Sequence, residues 1–282
     1  MAKLYIMGNG FDLHYGLKTR TDDFLDYLKQ ERVYNEIDDA VEVFAGYGVN
    51  WSNFEEDRAY IDFNEIEENQ LEYPDYLSDH ESDRDGCIFN MREYLNSLYA
   101  AIHNALRKMV YKADTTELAK DMEFSLEDAI ICFNYTSTIE KVAKVLPLIP
   151  IFYIHGCAYK NEELILGYKE AQTDYRFDKY SSPEDGDYYV ESQLEEMRRF
   201  YYSLKKKRKD CELLVFIENL KNIDEVVVLG HSIGSVDAPY FELINQRLNP
   251  RVWNISYYDD NDDSISNANQ LSFSQKINLF KW

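Results

Sequence analysis

Basic residues, cysteine, histidine and long apolar runs are all scarce in this chain of 282 residues, and each scarcity closes off a class of function. The chain sets 30 Lys and Arg against 52 Asp and Glu, a formal charge of -22. The broad positive surface that non-specific nucleic-acid binding requires is therefore missing. Its one basic run, Lys205 to Lys209, reads as the solvated end of a helix. Cys87, Cys132, Cys157 and Cys211 stand far apart, and no pair has the spacing of zinc ligands. The five histidines include no His-x-x-x-His, and the acidic runs lack the central glycine of a calcium loop, so no metal site is expected. No apolar stretch reaches the roughly 20 residues that span a bilayer. The apolar run Lys3 to Met7 is too short for the core of a secretion signal. A cytoplasmic protein with reduced thiols, no membrane contact and no metal is the expectation.

Aromatic residues are abundant, led by 24 tyrosines, which separates this chain from a disordered acidic tail. Short apolar runs punctuated by turn residues predict strands at Lys3–Met7, Ala129–Phe133, Ile151–Ile154, Glu225–Leu229 and Arg251–Tyr257, with a shorter run at Leu164–Leu166. A helix is predicted from Thr136 to Leu146, ended by Pro147 and Pro150, and another opens at Asp237 with Pro239 in its first turn. A polar stretch from Asp259 to Asn269 precedes a predicted final helix. Strands alternating with helices give an α/β class: a Rossmann-like, mainly parallel sheet with helices on both faces. Two segments interrupt that rhythm and read as helical insertions in one domain of residues 1–282. The first is acidic, spans about 34–113 and includes a helix from about Phe89 to Lys112; the second spans about 170–221.

Polar residues follow several of these strands directly. Gly8-Asn9-Gly10 follows the first, in the strand, Gly-x-Gly, helix order that places N–H groups against a phosphate. The third glycine of the dinucleotide fingerprint is replaced by Leu13, and two glycines after a strand also make a plain tight turn. Asn134-Tyr135-Thr136, His155-Gly156 and Gly230-His231-Ser232, with Asp237 just beyond, follow three others. Ligands of open α/β sheets bind at the carboxyl ends of strands, so these loops are expected to converge on one crevice. Each has a structural reading too: Asn134 fits a helix cap and His155 a satisfied core histidine.

Gly230-His-Ser-Ile-Gly234 also fits the Gly-x-Ser-x-Gly nucleophile elbow. In that hydrolase fold the histidine follows the serine, whereas all five histidines here precede Ser232 and only residues 233–282 remain after it. A serine hydrolase is thus the weakest of the readings. Trp51-Ser-Asn-Phe-Glu55 either opens a helix with a Ser52–Glu55 capping box or lends Glu55 to a pocket.

Taken in order, several of these segments resemble the AbiH family of bacterial phage abortive-infection proteins across nearly the whole chain. They are Gly8-Asn-Gly-Phe-Asp-Leu-His14 with Gly16-Leu17, Trp51 to Glu55, Phe133-Asn-Tyr135, His155-Gly156, and Gly230-His-Ser-Ile with Asp237 and Tyr240-Phe241. The same order is similar to sirtuin-type NAD-binding domains, including zinc-less ones of bacterial defence systems. That resemblance implies that Gly8 and Gly10 face the NAD phosphates, Asn134 holds the nicotinamide ribose and a water, and His155 is the catalytic base. It implies also that Gly230 and Ser232 contact the phosphates or the adenosine half. Asn9, Phe11, Asp12, His231 and Asp237 share these loops and complete the expected cofactor-binding set, with His14 and Glu55 as additional candidates. Asn9 stands where sirtuins have alanine, Asp12 where they have serine, and Thr136 where they have aspartate. The zinc cysteines of the deacetylases are absent, so protein deacetylation is not expected.

The resemblance thus implies a sirtuin-like NAD glycohydrolase of phage defence, with NAD as substrate and a phage-derived trigger as partner; homo-oligomer formation is left open. Nicotinamide leaves as a neutral molecule, and a ribosyl cation develops that a carboxylate such as Asp12, Asp237 or Glu55 would stabilise. A histidine base and a water held by asparagine would complete the reaction. A non-catalytic nucleotide-binding sensor or interaction module is the alternative from another class.

Overall fold

The computed structural model describes residues 2–20, 23–24, 63–144, 149–165, 175, 177, 187–203 and 207–282. Six strands, β1 (Ala2–Met7), β2 (Ala129–Cys132), β3 (Ile151–Tyr153), β4 (Ile223–Leu229), β5 (Val252–Tyr257) and β6 (Ile277–Lys281), form one sheet in the order β3-β2-β1-β4-β5-β6. Every pairing is parallel. This is the doubly wound order, in which the chain reverses its direction of travel between β1 and β4. Parallel strands need both faces covered, and β2 and the second half of β4 accordingly read as unbroken buried apolar runs.

Eight helices accompany the strands among the described residues: α1 (Asn9–His14), α2 (Phe63–Gln70), α3 (Glu81–Asp114), α4 (Thr138–Val142), α5 (Tyr188–Ser203), α6 (Asp210–Glu218), α7 (Ala238–Leu248) and α8 (Asp263–Gln270). On one sheet face Leu4, Ile6, Ile131, Val226, Val228 and Ile255 pack with Leu213 and Ile217 of α6, Tyr240, Phe241 and Ile244 of α7, and Ala268 of α8. On the other face Met7, Ile130, Cys132, Val227 and Leu229 pack with Phe11 of α1 and with Ile139 and Val142 of α4. Each large side chain buried this completely stabilises the fold by roughly 1.5–3 kcal/mol.

Four local expectations are revised. The helix after β2 runs only from Thr138 to Val142: it starts two residues later than predicted, and it ends before the predicted Leu146 because Ala143 is extended. The Leu164-Ile165 run is not a strand; the Ile165 N–H donates to the His155 carbonyl at 2.8 Å and leaves the run as a loop. α3 begins at Glu81, well before Phe89, because its first turn is polar and its buried stripe starts only at Cys87, continuing through Met91, Leu95, Leu98 and Ile102. The last helix lies inside the polar stretch, since Asp262 caps it by accepting the Ser264 N–H, and the C-terminal segment is instead the edge strand β6 paired with β5.

The chain divides into two compact units. The first, residues 1–23, 107–166 and 207–282, holds the whole sheet. The second, residues 24–106 and 167–206, includes α2 and α5. Within it Phe63 is fully buried among the rings of Tyr175, Phe177, Phe200 and Tyr201. Gln193 exchanges hydrogen bonds with the Glu72 backbone, accepting its N–H at 3.1 Å and donating to its carbonyl at 2.8 Å. No helix among the described residues is long and apolar enough to cross a membrane.

The register places Tyr153, Cys132, Met7 and Leu229 side by side across four neighbouring strands. The residues that follow them leave the sheet along one edge. At its centre the two loops touch backbone to backbone. The Gly8 N–H donates to the Leu229 carbonyl at 3.0 Å, and the Gly10 N–H to the Gly230 carbonyl at 2.7 Å. A Cβ on Gly8 would sit 2.6 Å from the Gly230 carbonyl oxygen and from the His231 Cα. Gly230 has φ +63°, and a Cβ there would lie 2.2 Å from the Phe11 nitrogen. Gly230→Ala is therefore expected to cost about 3 kcal/mol or more, combining a left-handed backbone penalty with a clash against main chain that cannot rotate away. Denaturant unfolding measures this; a loss below about 1 kcal/mol would mean that the junction opens freely.

Candidate functional site

Two polar clusters occupy the carboxyl edge of the sheet, and both belong to the first unit. The first is built on α1 and the loop after β2. Asp12 is buried in the first turn of α1, at 1 % exposure. Thr136 donates its hydroxyl to Asp12 Oδ2 at 2.7 Å, and the Thr138 hydroxyl donates to Thr136 Oγ1 at 2.9 Å. Burial pushes the Asp12 carboxyl up to about 6, while hydrogen bonds from Thr136, Thr138 and Asn134 pull it back and the Asp114 carboxylate raises it further. Above that value the group carries its charge inside the protein. Asp12 Oδ1 and Asn134 Oδ1 are both buried and have no hydrogen-bond partner.

The second cluster joins the loops after β3 and β4. Asp237 lies between two buried imidazoles: its Oδ1 is 3.5 Å from His155 Nε2 and its Oδ2 is 3.6 Å from His231 Nε2. These are ion-pair separations, and neither His155 nitrogen makes a hydrogen bond of good geometry. Phe133 fills the space beside them, its ring 5.3 Å from that of His155 and 4.4 Å from that of His231, both edge-on. Phe241 stacks on Phe133 and meets His231 edge-on. The cluster thus has apolar walls, which strengthen electrostatic attraction within it.

Two local features hold this second cluster in place, and both work against the fold. Asp237 occupies the N-cap position of α7, yet its side chain makes no capping hydrogen bond. An aspartate in that position would ordinarily contribute about 1 kcal/mol as a cap; here the carboxylate is turned to the histidines. Ile233, a buried β-branched residue, adopts φ +57°, and from that position its N–H donates to His231 Nδ1 at 2.8 Å. Left-handed backbone in such a residue costs on the order of 1–3 kcal/mol and is characteristically found at functional sites.

Asp12, Asn134, His155, His231 and Asp237 are therefore buried polar residues along one sheet edge, next to the Gly8–Gly230 junction. The remaining expected residues fall elsewhere or serve otherwise. The N–H groups of Gly8 and Gly10 are donated to the carbonyls of Leu229 and Gly230, so these glycines provide close approach of two chain segments rather than free donors. Asn9 is exposed, and its amide donates to the Thr19 carbonyl at 3.0 Å. Phe11 is core, stacked on Trp282. His14 is exposed and also stacks on Trp282, at 4.0 Å. Ser232 is exposed; its carbonyl accepts the Asn267 amide, and its hydroxyl makes no hydrogen bond to a base among the described residues. Glu55 and the Trp51 segment lie outside the described residues. Among those residues no group of three or more His, Cys, Asp or Glu is arranged to hold a metal ion. The threonines of Thr136-Ser137-Thr138 were not expected as partners of Asp12; a run of hydroxyl residues directly after a buried strand was the available signal.

A family model described as "Bacteriophage abortive infection AbiH" matches residues 4–257, from β1 to the last residue of β5. No curated protein and no solved structure matches the chain.

The raised Asp12 carboxyl has a consequence for stability. The folded state holds its proton up to about pH 6, whereas an unfolded chain releases it near the ordinary value of 3.8. Stability from this group is thus fully present below about pH 4 and is lost as pH rises through about 6. Asp12→Asn is expected to gain on the wild type by on the order of 2–3 kcal/mol between pH 4 and pH 8, read as a melting-temperature difference that grows over this window. A difference independent of pH would show that Asp12 ionises as an exposed carboxylate does. Separately, a fluorophosphonate is expected to leave Ser232 unlabelled, since only an activated serine reacts; stoichiometric labelling there would restore the hydrolase.

Proposed function

The chain belongs to the bacteriophage abortive infection AbiH family, and we propose that it serves phage defence as an NAD glycohydrolase, releasing nicotinamide and ADP-ribose. The observation that carries this reading is the pair of buried histidines around Asp237, beside the switch point of a doubly wound sheet, with a buried carboxylate and an asparagine in the adjoining loops. Doubly wound sheets take nucleotides at that position.

The residue chemistry fits the reactive half of NAD. The nicotinamide ribosyl group is cationic and presents hydroxyl donors, and the buried groups without partners include two acceptor oxygens, on Asp12 and Asn134. With Asp12 mostly ionised at neutral pH, the site carries negative charge where a ribosyl cation would develop. The Gly8 and Gly10 N–H groups are already donated within the chain, so the diphosphate would be held by other groups. Two departures from the sirtuin pattern also meet one another. Asp12, in place of serine, accepts from Thr136, in place of aspartate, so a hydroxyl and a carboxyl are present with their positions exchanged.

In the reaction the C1′–N bond breaks and its electron pair leaves on the nicotinamide nitrogen. A water oxygen bonds to C1′, and His155 takes the water's proton. General-base assistance of this kind is worth roughly 10²- to 10⁴-fold.

The test is incubation of the full chain with NAD, with free nicotinamide as the readout. Asn134→Ala and His155→Ala are each expected to lower its release at least about 100-fold, with the circular dichroism of the wild type retained. NAD binding by calorimetry without release would replace the enzyme by a non-catalytic nucleotide sensor. Neither binding nor release would remove NAD from the account.

A further inference from the structure

The hydrogen bond at His231 has a consequence for His155 that neither residue shows alone. His231 Nδ1 accepts the Ile233 N–H at 2.8 Å, so this nitrogen carries no proton. A neutral imidazole then has its proton on the other nitrogen. In His231 that is Nε2, which faces Asp237 Oδ2 at 3.6 Å. The opposite oxygen of the same carboxylate, Oδ1, faces His155 Nε2 at 3.5 Å. A carboxylate favours a protonated nitrogen on each side, and both rings are almost completely buried, so bulk water does not compete for the choice.

We infer that Asp237, with His231 locked by the strained Ile233 backbone, sets His155 as its Nε2–H tautomer and leaves His155 Nδ1 as the proton-accepting atom. Asp237 and His231 are then positioning residues, acting through His155. This assignment specifies the atom in the reading of His155 as the base of glycoside hydrolysis, and it rests on that reading for its catalytic meaning. During turnover the water's proton would bond to Nδ1, and the imidazolium charge that results would face Asp237. The left-handed conformation of Ile233 has a purpose in this arrangement, because it is what turns the N–H of residue 233 back onto a ring two residues earlier. The failure of Asp237 to cap α7 has the same explanation.

The experiment is long-range proton–nitrogen correlation NMR on the uniformly ¹⁵N-labelled full chain at neutral pH. The two buried rings are assigned with His155→Gln and His231→Gln. The expected result is a bare Nδ1 and a protonated Nε2 in both. Asp237→Asn, similar in shape but with one oxygen replaced by a donor group, is expected to move at least one ring off this pattern. Its kcat for NAD should fall at least about 100-fold with KM within about threefold, as when a histidine is left in the wrong tautomer. A protonated His155 Nδ1 in the wild type overturns the inference, as does an Asp237→Asn protein whose tautomers are unchanged. The wild-type spectrum requires no variant to fold and no turnover. If NAD is not hydrolysed and the spectrum is as expected, the enzyme reading fails and the tautomer assignment stands.

Discussion

The contact between the first and fourth strand ends is the constraint on which the rest of this site depends. Gly8 and Gly10 meet Gly230 and His231 at main-chain distance, and two N–H groups from one loop are donated to carbonyls of the other. That junction brings His231 against the start of α1 and fixes the direction in which the chain leaves β4. Asp12 is turned inward just beyond it, and the Ile233 turn follows immediately. A side chain at Gly8 or Gly230 would push both loops apart, so the glycines act on the site through main-chain geometry.

The two polar clusters use burial in different ways. Around Asp12 the protein surrounds a carboxyl with hydroxyl and amide groups, and it keeps the charged form accessible near neutral pH despite a fully buried setting. Around Asp237 it uses rings: Phe133 lies edge-on to two buried imidazoles that face one carboxylate, and Phe241 lies edge-on to one of them, His231. The first arrangement suits holding a positive charge and the second suits moving a proton. Both clusters lie along the same carboxyl edge of the sheet, beside the glycine junction.

Much of the architecture was legible because it rests on short apolar runs that end in turn residues. Ala129–Cys132 and Ile223–Leu229 are such runs, and the polar residues Asn134 and His231 lie just past their ends. The sixth strand was not legible: Ile277-Asn-Leu-Phe-Lys281 is too short to separate a strand from a helix, and only its pairing with β5 decides. The polar start of α3 was hidden for the related reason that solvent-facing turns carry no apolar period. At the site, residue types and their order were readable, but hydrogen-bond direction was not. That the glycine N–H groups are consumed, that Asp237 turns away from its helix, and that Ile233 is left-handed depend on contacts between segments far apart in the chain.

The central place of β1 bears on how the protein comes into being. β1 pairs with β2 on one side and with β4 on the other, and β4 follows it by more than 200 residues. Such long-range parallel pairing forms late and slowly. The glycine junction, and with it the approach of His231 to the first loop, can close only after the end of β4 has emerged. A chain that stops before the end of β4 lacks both the partner of the first glycine loop and the residues His231 and Asp237. The site therefore assembles only once β4 has joined β1.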